Sequence, residues 1–105
     1  MTDSIVVLTT LPNAEAAAEV AKAVVGEKLA ACANILPPLR SIYRWKGKVQ
    51  DESEVLVLLK TRQAQYERLK SRILELHPYD VPEVLAVAVE QGHGAYLDWI
   101  ATETA

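Results

Sequence analysis

Apolar positions in this chain follow two rhythms, continuous short runs and helical stripes, and their alternation lays out the elements. Residues 5–8, Ile5-Val6-Val7-Leu8, form an unbroken aliphatic run that Thr9 and Thr10 extend, which predicts a buried strand. Pro12 and Asn13 punctuate it, with Asn13 placed to cap a helix. That helix is predicted over residues 14–29. Ala17, Val20, Ala21, Val24 and Lys28 lie along one stripe, Val25 and Leu29 widen it, and Glu15, Glu19, Lys22 and Glu27 fall mostly off it. Gly26 weakens its last turn. Residues 30–45 form a second strand region. Pro37-Pro38, with no donor for the ladder, bends or bulges it, and residues 41–45 return to strand. Lys46-Gly47-Lys48 supplies a glycine where a hairpin needs positive φ. The third strand is predicted over residues 54–60, with an apolar centre from Val55 to Leu59. A second helix over residues 63–77 carries Tyr66, Leu69, Ile73 and Leu76 on one face and stops at Pro78. Residues 83–90 read as the fourth strand, Gly92-His93-Gly94 as a turn, and residues 95–102 as a last helix carrying Tyr96, Leu97, Trp99 and Ile100.

The order β-α-β-β-α-β plus a terminal helix predicts an α+β fold of the ferredoxin-like, split βαβ kind. Such a fold puts its helices on one face of an antiparallel sheet and leaves the other face to solvent. Strands one, three and four are apolar on both sides, so something must cover the second face. Another copy of the chain is the expected cover, giving a symmetric homo-oligomer. A large hydrophobic ligand is the rival, but these strands carry few polar groups to orient one.

Composition narrows the partners. The chain has 105 residues, room for one domain spanning 1–105. Phe is absent, so the core is built from Val, Leu, Ile and Ala. Fourteen acids against eleven bases give a net charge of −3. The basic stretches Arg44 to Lys48 and Arg68 to Arg72 are interleaved with apolar or acidic residues, so they read as solvated faces and no nucleic-acid partner is expected. Cysteine occurs once, which excludes an intrachain disulfide. Met1-Thr2-Asp3-Ser4 has no positive n-region, so neither a signal peptide nor a membrane span is expected, and the expected compartment is the cytoplasm.

Candidate chemistry is sparse. There is no Gly-x-Ser-x-Gly, P-loop, His-Glu-x-x-His or dinucleotide fingerprint, and no enzymatic activity is expected. Cys32 sits among small apolar residues and reads as a buried hydrophobe before it reads as a nucleophile or ligand. His77 closes the second helix, where an imidazole favours the C-terminal dipole; a metal-ligand role beside Asp80 or Glu83 competes, with the ring free to reach solvent or a neighbouring chain. His93 lies between two glycines and faces solvent. Tyr43 and Trp45 are two apart and share one strand face, suiting subunit contact above nucleic-acid stacking.

Several segments resemble one family. Leu29-Ala30-Ala31-Cys32-Ala33-Asn34-Ile35 is similar to its "LAACVNI" stretch, and Ser41 to Gly47 to its "S-x-Y-x-W-x-G" hairpin. Lys60-Thr61 matches the "KT" that ends its third strand. His77-Pro78-Tyr79-Asp80-Val81-Pro82-Glu83 resembles "HPYExPE", with Asp80 for the usual Glu, and Tyr96 to Ile100 the closing "YLxWI". This is the CutA divalent-cation tolerance family. The resemblance implies a ferredoxin-like subunit in a PII-like homotrimer, a non-enzymatic part in tolerance of copper or another divalent metal, and subunit contacts through Tyr43, Trp45, Tyr79 and Trp99. Some members hold copper with a cysteine near the end of the first strand. Here that position is Thr9, a poor soft-metal ligand. Leu76 stands before His77 where a second histidine can occur. The metal candidates are thus His77, then Cys32 and Thr9. An alternative is a PII-like sensor that binds a small anionic ligand at a subunit cleft lined by Arg44, Lys60, Asp80 and Glu83, with Lys46 and Lys48 beside them.

Overall fold

A computed structural model describes residues 2–105. Strand β1 (Ser4–Leu11) is followed by helix α1 (Ala14–Gly26), β2 (Cys32–Ile35), β3 (Leu39–Trp45), β4 (Lys48–Arg62), a 3₁₀ turn (Gln63–Gln65), α2 (Tyr66–Leu76), β5 (Leu85–Ala88) and α3 (Gly94–Glu103). All strand pairings are antiparallel, in the order β2-β4-β1-β5, with β3 pairing the outer half of β4. This is the ferredoxin-like arrangement anticipated from the pattern.

β4 is the spine. Its inner half pairs with β1 from Val55↔Leu11 to Arg62↔Ser4 and with β2 from Val57↔Ile35 to Lys60↔Cys32. Its outer half pairs with β3 from Lys48↔Trp45 to Glu54↔Leu39. The strand predicted to begin at residue 54 therefore begins at Lys48. Residues 48–54 are polar enough to hide a strand that one apolar face does not support, yet the tight turn commits them to pairing. Lys46 (φ 49) and Gly47 (φ 78) both take the left-handed region, as a type I′ hairpin turn demands. Pro37-Pro38 separates β2 from β3 as expected, because neither proline can donate to the ladder.

Odd-numbered residues of β1 and β4 face α1 and α2. Ile5, Val7, Leu11, Val55, Val57 and Leu59 pack there with Val20, Val24, Leu69 and Ile73, all buried. Full burial of each such side chain contributes about 1.5–3 kcal/mol. α1 starts at Asn13, whose side chain accepts from the Ala16 N–H at 2.8 Å. It stops three residues before the predicted end. Lys28 adopts φ 63, the Lys28 N–H bonds the Val25 carbonyl at 3.1 Å, and the Leu29 N–H returns to the Val24 carbonyl at 2.9 Å. These two bonds make a Schellman cap with lysine where glycine is usual. Lys28 is thus off the helical stripe on which the periodicity placed it.

Even-numbered residues form the second face. α3 covers its end: the Lys60 ammonium lies 5.6 Å over the Tyr96 ring, Arg62 Nε donates to Thr104 Oγ1 at 2.8 Å, and Arg62 Nη2 and Gln65 Nε2 both donate to the Thr104 carbonyl at 2.6 Å. The last helix therefore takes part of the face that the pattern assigned wholly to another copy. The rest stays open. Leu85 and Val87, paired with Leu8 and Val6, are 57% and 54% exposed. On the hairpin's other face, Ile42 and Val49 are 64% and 67% exposed.

Candidate functional site

The β3–β4 hairpin and the loop of residues 77–84 enclose a cleft of about 560 Å³, lined among others by Tyr43, Trp45, Glu54, Tyr79, Asp80 and Glu83. The register builds one wall: Ser41, Tyr43 and Trp45 alternate onto the face that β4 fills with Glu52, Gln50 and Lys48. Thr10 also borders the cleft. The opposite wall follows from His77, which ends α2 with its N–H on the Ile73 carbonyl at 2.8 Å. Its imidazole turns inward and is 8% exposed. Nε2 lies 2.7 Å from the Thr10 carbonyl, and Nδ1 accepts from the Tyr79 N–H at 3.2 Å. The carbonyl can only accept and the amide only donate, so the ring is the Nε2–H tautomer. The ring of Tyr79 leans on it at 4.7 Å between centroids.

From that anchor the Tyr79 hydroxyl donates to Glu54 Oε2 at 2.8 Å, and Tyr43 donates to Glu52. Glu54 is 8% exposed. Burial, then the hydrogen bond to Glu54, then the charges of Glu54 and Glu52 push the Tyr79 phenol above its usual range. Tyr43 is pushed up to about 12, chiefly by its bond to Glu52, then by burial and the charges of Glu52 and Glu54. Both phenols therefore stay protonated and donate to carboxylates.

The sequence-predicted residues divide sharply. Tyr43, Trp45 and Tyr79 meet in the cleft, and Asp80 and Glu83 join them. Trp99 lies on α3, its ring 5.5 Å from that of Tyr96. Arg44 pairs with Val49 near the hairpin tip, and Lys60 lies eleven residues further along β4. At the rise of a strand this puts them roughly 35 Å apart, so one chain does not bring them to a common cleft. The metal candidates do not converge either. Thr9 is buried on the helical face with no partner for its hydroxyl. Cys32 is only partly buried, not the core hydrophobe expected, and pairs with Lys60 on the second face, its Sγ 3.7 Å from Asn34 Oδ1. His77, expected to reach solvent, is sealed with both ring nitrogens engaged. The donor set of one chain therefore does not fit a copper ion, and among the described residues no three His, Cys, Asp or Glu side chains gather as metal ligands.

Glu54, Ser41 and Thr10 line the cleft and Glu52 adjoins it through Tyr43, and the pattern singled out none of them. Their signal was present in the turn: once Lys46-Gly47 fixes the register, Ser41 stands opposite Glu52 and Leu39 opposite Glu54.

A split βαβ subunit with an extended hairpin and an aromatic, acidic cleft is an α+β protein of the ferredoxin-like class. Residues 5–103 match the CutA1 divalent ion tolerance protein family, and the chain belongs to that family. It is 50% identical over 99 residues to the divalent-cation tolerance protein CutA of Thermus thermophilus, covering 94% of this chain and 96% of that one. It is 48% identical over 101 residues to the chloroplastic protein CutA of Arabidopsis thaliana, spanning 96% of this chain but 56% of the plant protein. The Thermus thermophilus CutA1 structure superposes with TM-score 0.95 at 48% identity, covering 97% and 99% of the two chains. The Xylella fastidiosa CutA structure gives 0.96 at 38%, covering 99% and 100%.

Proposed function

We propose that this chain serves divalent-cation tolerance as a non-catalytic homotrimer, and that a metal ion, copper foremost, is held between copies and not within one. The family supplies the metal connection. The observation that carries the assembly is the apolar surface that one chain leaves open, on β5 through Leu85 and Val87 and on the hairpin through Ile42 and Val49. Donors scattered within a subunit can meet across a symmetric interface, where each ligand is multiplied. Nothing in the cleft favours the anionic-ligand reading, since its titratable lining residues are acidic or phenolic. The cytoplasm is the proposed compartment. Among the described residues no helix is long and apolar enough to cross a membrane.

Light scattering at micromolar concentration is expected to give three times 11.6 kDa; a monomer overturns the assembly. Leu85→Asp combined with Val87→Asp is expected to yield monomer. Copper titration of both proteins then tests the shared site. Equal affinity in the dissociated variant places the metal within one subunit and overturns that part.

A further inference from the structure

We propose that Thr10, His77, Tyr79 and Glu54 form a clamp that fixes the direction of the β3–β4 arm relative to the packed layers, so that a subunit presents its arm already set for a second copy. The clamp is built within one chain; its consequence for assembly rests on the homotrimer reading above.

The arm needs such a device because its junction with the layers is weak. β4 is the one strand that the layers and the arm share. Its pairing with β1 ends at Val55↔Leu11, and its pairing with β3 begins at the next residue, Glu54↔Leu39. On the β2 side the Leu36 N–H still bonds the Leu56 carbonyl at 3.0 Å. Pro37 and Pro38 then bring no donor, so the ladder breaks on both sides of β4 at the same level. The backbone that crosses from the layers to the arm is β4 itself and the linker from Leu36 to Leu39. Beyond the junction β3 pairs with β4 alone, and a two-stranded ribbon is marginal by itself. The cleft of about 560 Å³ separates the arm from the 77–84 loop, so close packing does not fix the angle between them.

Glu54 stands on the arm side of that junction. Counted from Lys48, it is the first buried residue of β4. The Tyr79 hydroxyl donates to its carboxylate at 2.8 Å. Among the described residues this is the side-chain hydrogen bond that spans the junction; the bonds of Arg40 to Asp51 and of Tyr43 to Glu52 stay within the arm. Tyr79 is in turn held from the side of the layers. Its N–H donates to His77 Nδ1 at 3.2 Å, and its ring leans on the imidazole. His77 Nε2–H donates to the Thr10 carbonyl at 2.7 Å, one residue before β1 ends. The His77 N–H is fixed on Ile73, so the clamp is anchored at the ends of both α2 and β1. A hydrogen bond to a carboxylate is roughly twice as strong as one between neutral groups. The raised Tyr79 phenol keeps its proton, so the donor persists at neutral pH.

Tyr79→Phe keeps the ring and its contact with His77 and removes only the donor. Amide exchange is read on the Leu85→Asp, Val87→Asp chain at a dilution where light scattering gives a monomer, so that no neighbour protects the arm. There Tyr79→Phe is expected to quicken exchange across residues 39–53 about tenfold, as loss of a hydrogen bond to a charged group does, and to leave residues 4–11 unchanged. Glu54→Gln retains an oxygen to accept from Tyr79 and is expected to quicken the arm less. Unchanged exchange in the arm, equal quickening in the arm and β1, or equal effects of the two substitutions each overturns the clamp. In the otherwise wild-type chain Tyr79→Phe is expected to raise the concentration of half-dissociation about tenfold. A looser arm with unchanged assembly overturns the presentation of the arm and leaves the homotrimer reading standing. A wild-type chain that is itself a monomer overturns the homotrimer reading, and the exchange experiment then reads the clamp in that chain directly.

Discussion

At Thr9 a hydroxyl is sealed into the helical face of the sheet without a partner, surrounded by the aliphatic core. Thr9→Val keeps the branched shape and removes an unsatisfied polar group, so it is expected to stabilise the fold by about 1 kcal/mol in urea unfolding. His77 is the converse case. Its ring links β1 to the 77–84 loop, and His77→Ala is expected to cost about 2–3 kcal/mol through the Thr10 and Tyr79 bonds. A full loss of copper binding with unchanged unfolding would instead make His77 a ligand. The tyrosines offer a spectroscopic check. Of the four, Tyr43 and Tyr79 are expected to ionise late in an ultraviolet titration. Tyr43's folded value is raised from 10.0 to about 12, so its share of stability is complete below pH 10 and fades as pH climbs towards 12. Tyr43→Phe should remove one late step. At this scale the sequence was least legible. His77-Pro78 announced a helix end correctly, but the ring's acceptor lies 67 residues away, at Thr10, where no local pattern reaches.

Among the elements, α1 ends on a lysine that holds a left-handed conformation at φ 63. A glycine adopts that conformation without a Cβ penalty, so Lys28→Gly is expected to raise stability by about 1 kcal/mol. A thermal melt with no gain would mean that the lysine stem packs usefully there. Strand and helix identities were legible because Val, Ile and Leu run continuously along strands that carry apolar side chains on both faces and at helical spacing where one face is buried. The boundaries that moved did so for nameable reasons. α1 shortened because its cap is made by backbone bonds that lysine does not advertise. β4 lengthened because a two-residue turn forces pairing on Val49-Gln50-Asp51-Glu52-Ser53, a segment without a buried face of its own. The cleft was half legible: Tyr43 and Trp45 declared themselves by alternation, whereas Glu54 needed the register.

The molecule as a whole is elongated, 44 × 25 × 24 Å, with the hairpin projecting from the packed layers. A projecting ribbon with apolar residues on both faces is stable as a contact element and poor as a free one. Assembly should therefore appear in the thermodynamics. The melting temperature is expected to rise with protein concentration between 1 and 100 µM, as mass action requires of a folded oligomer that melts to single chains. A concentration-independent melt alongside a monomer mass would show that the ribbon stands alone.

The Thr104 carbonyl, one residue from the chain's end as given, receives both Arg62 and Gln65. That contact makes the residue after α3 a structural tether between the helix and β4. A stop after Glu103 deletes the acceptor, strands a guanidinium and an amide against the sheet, and loosens α3.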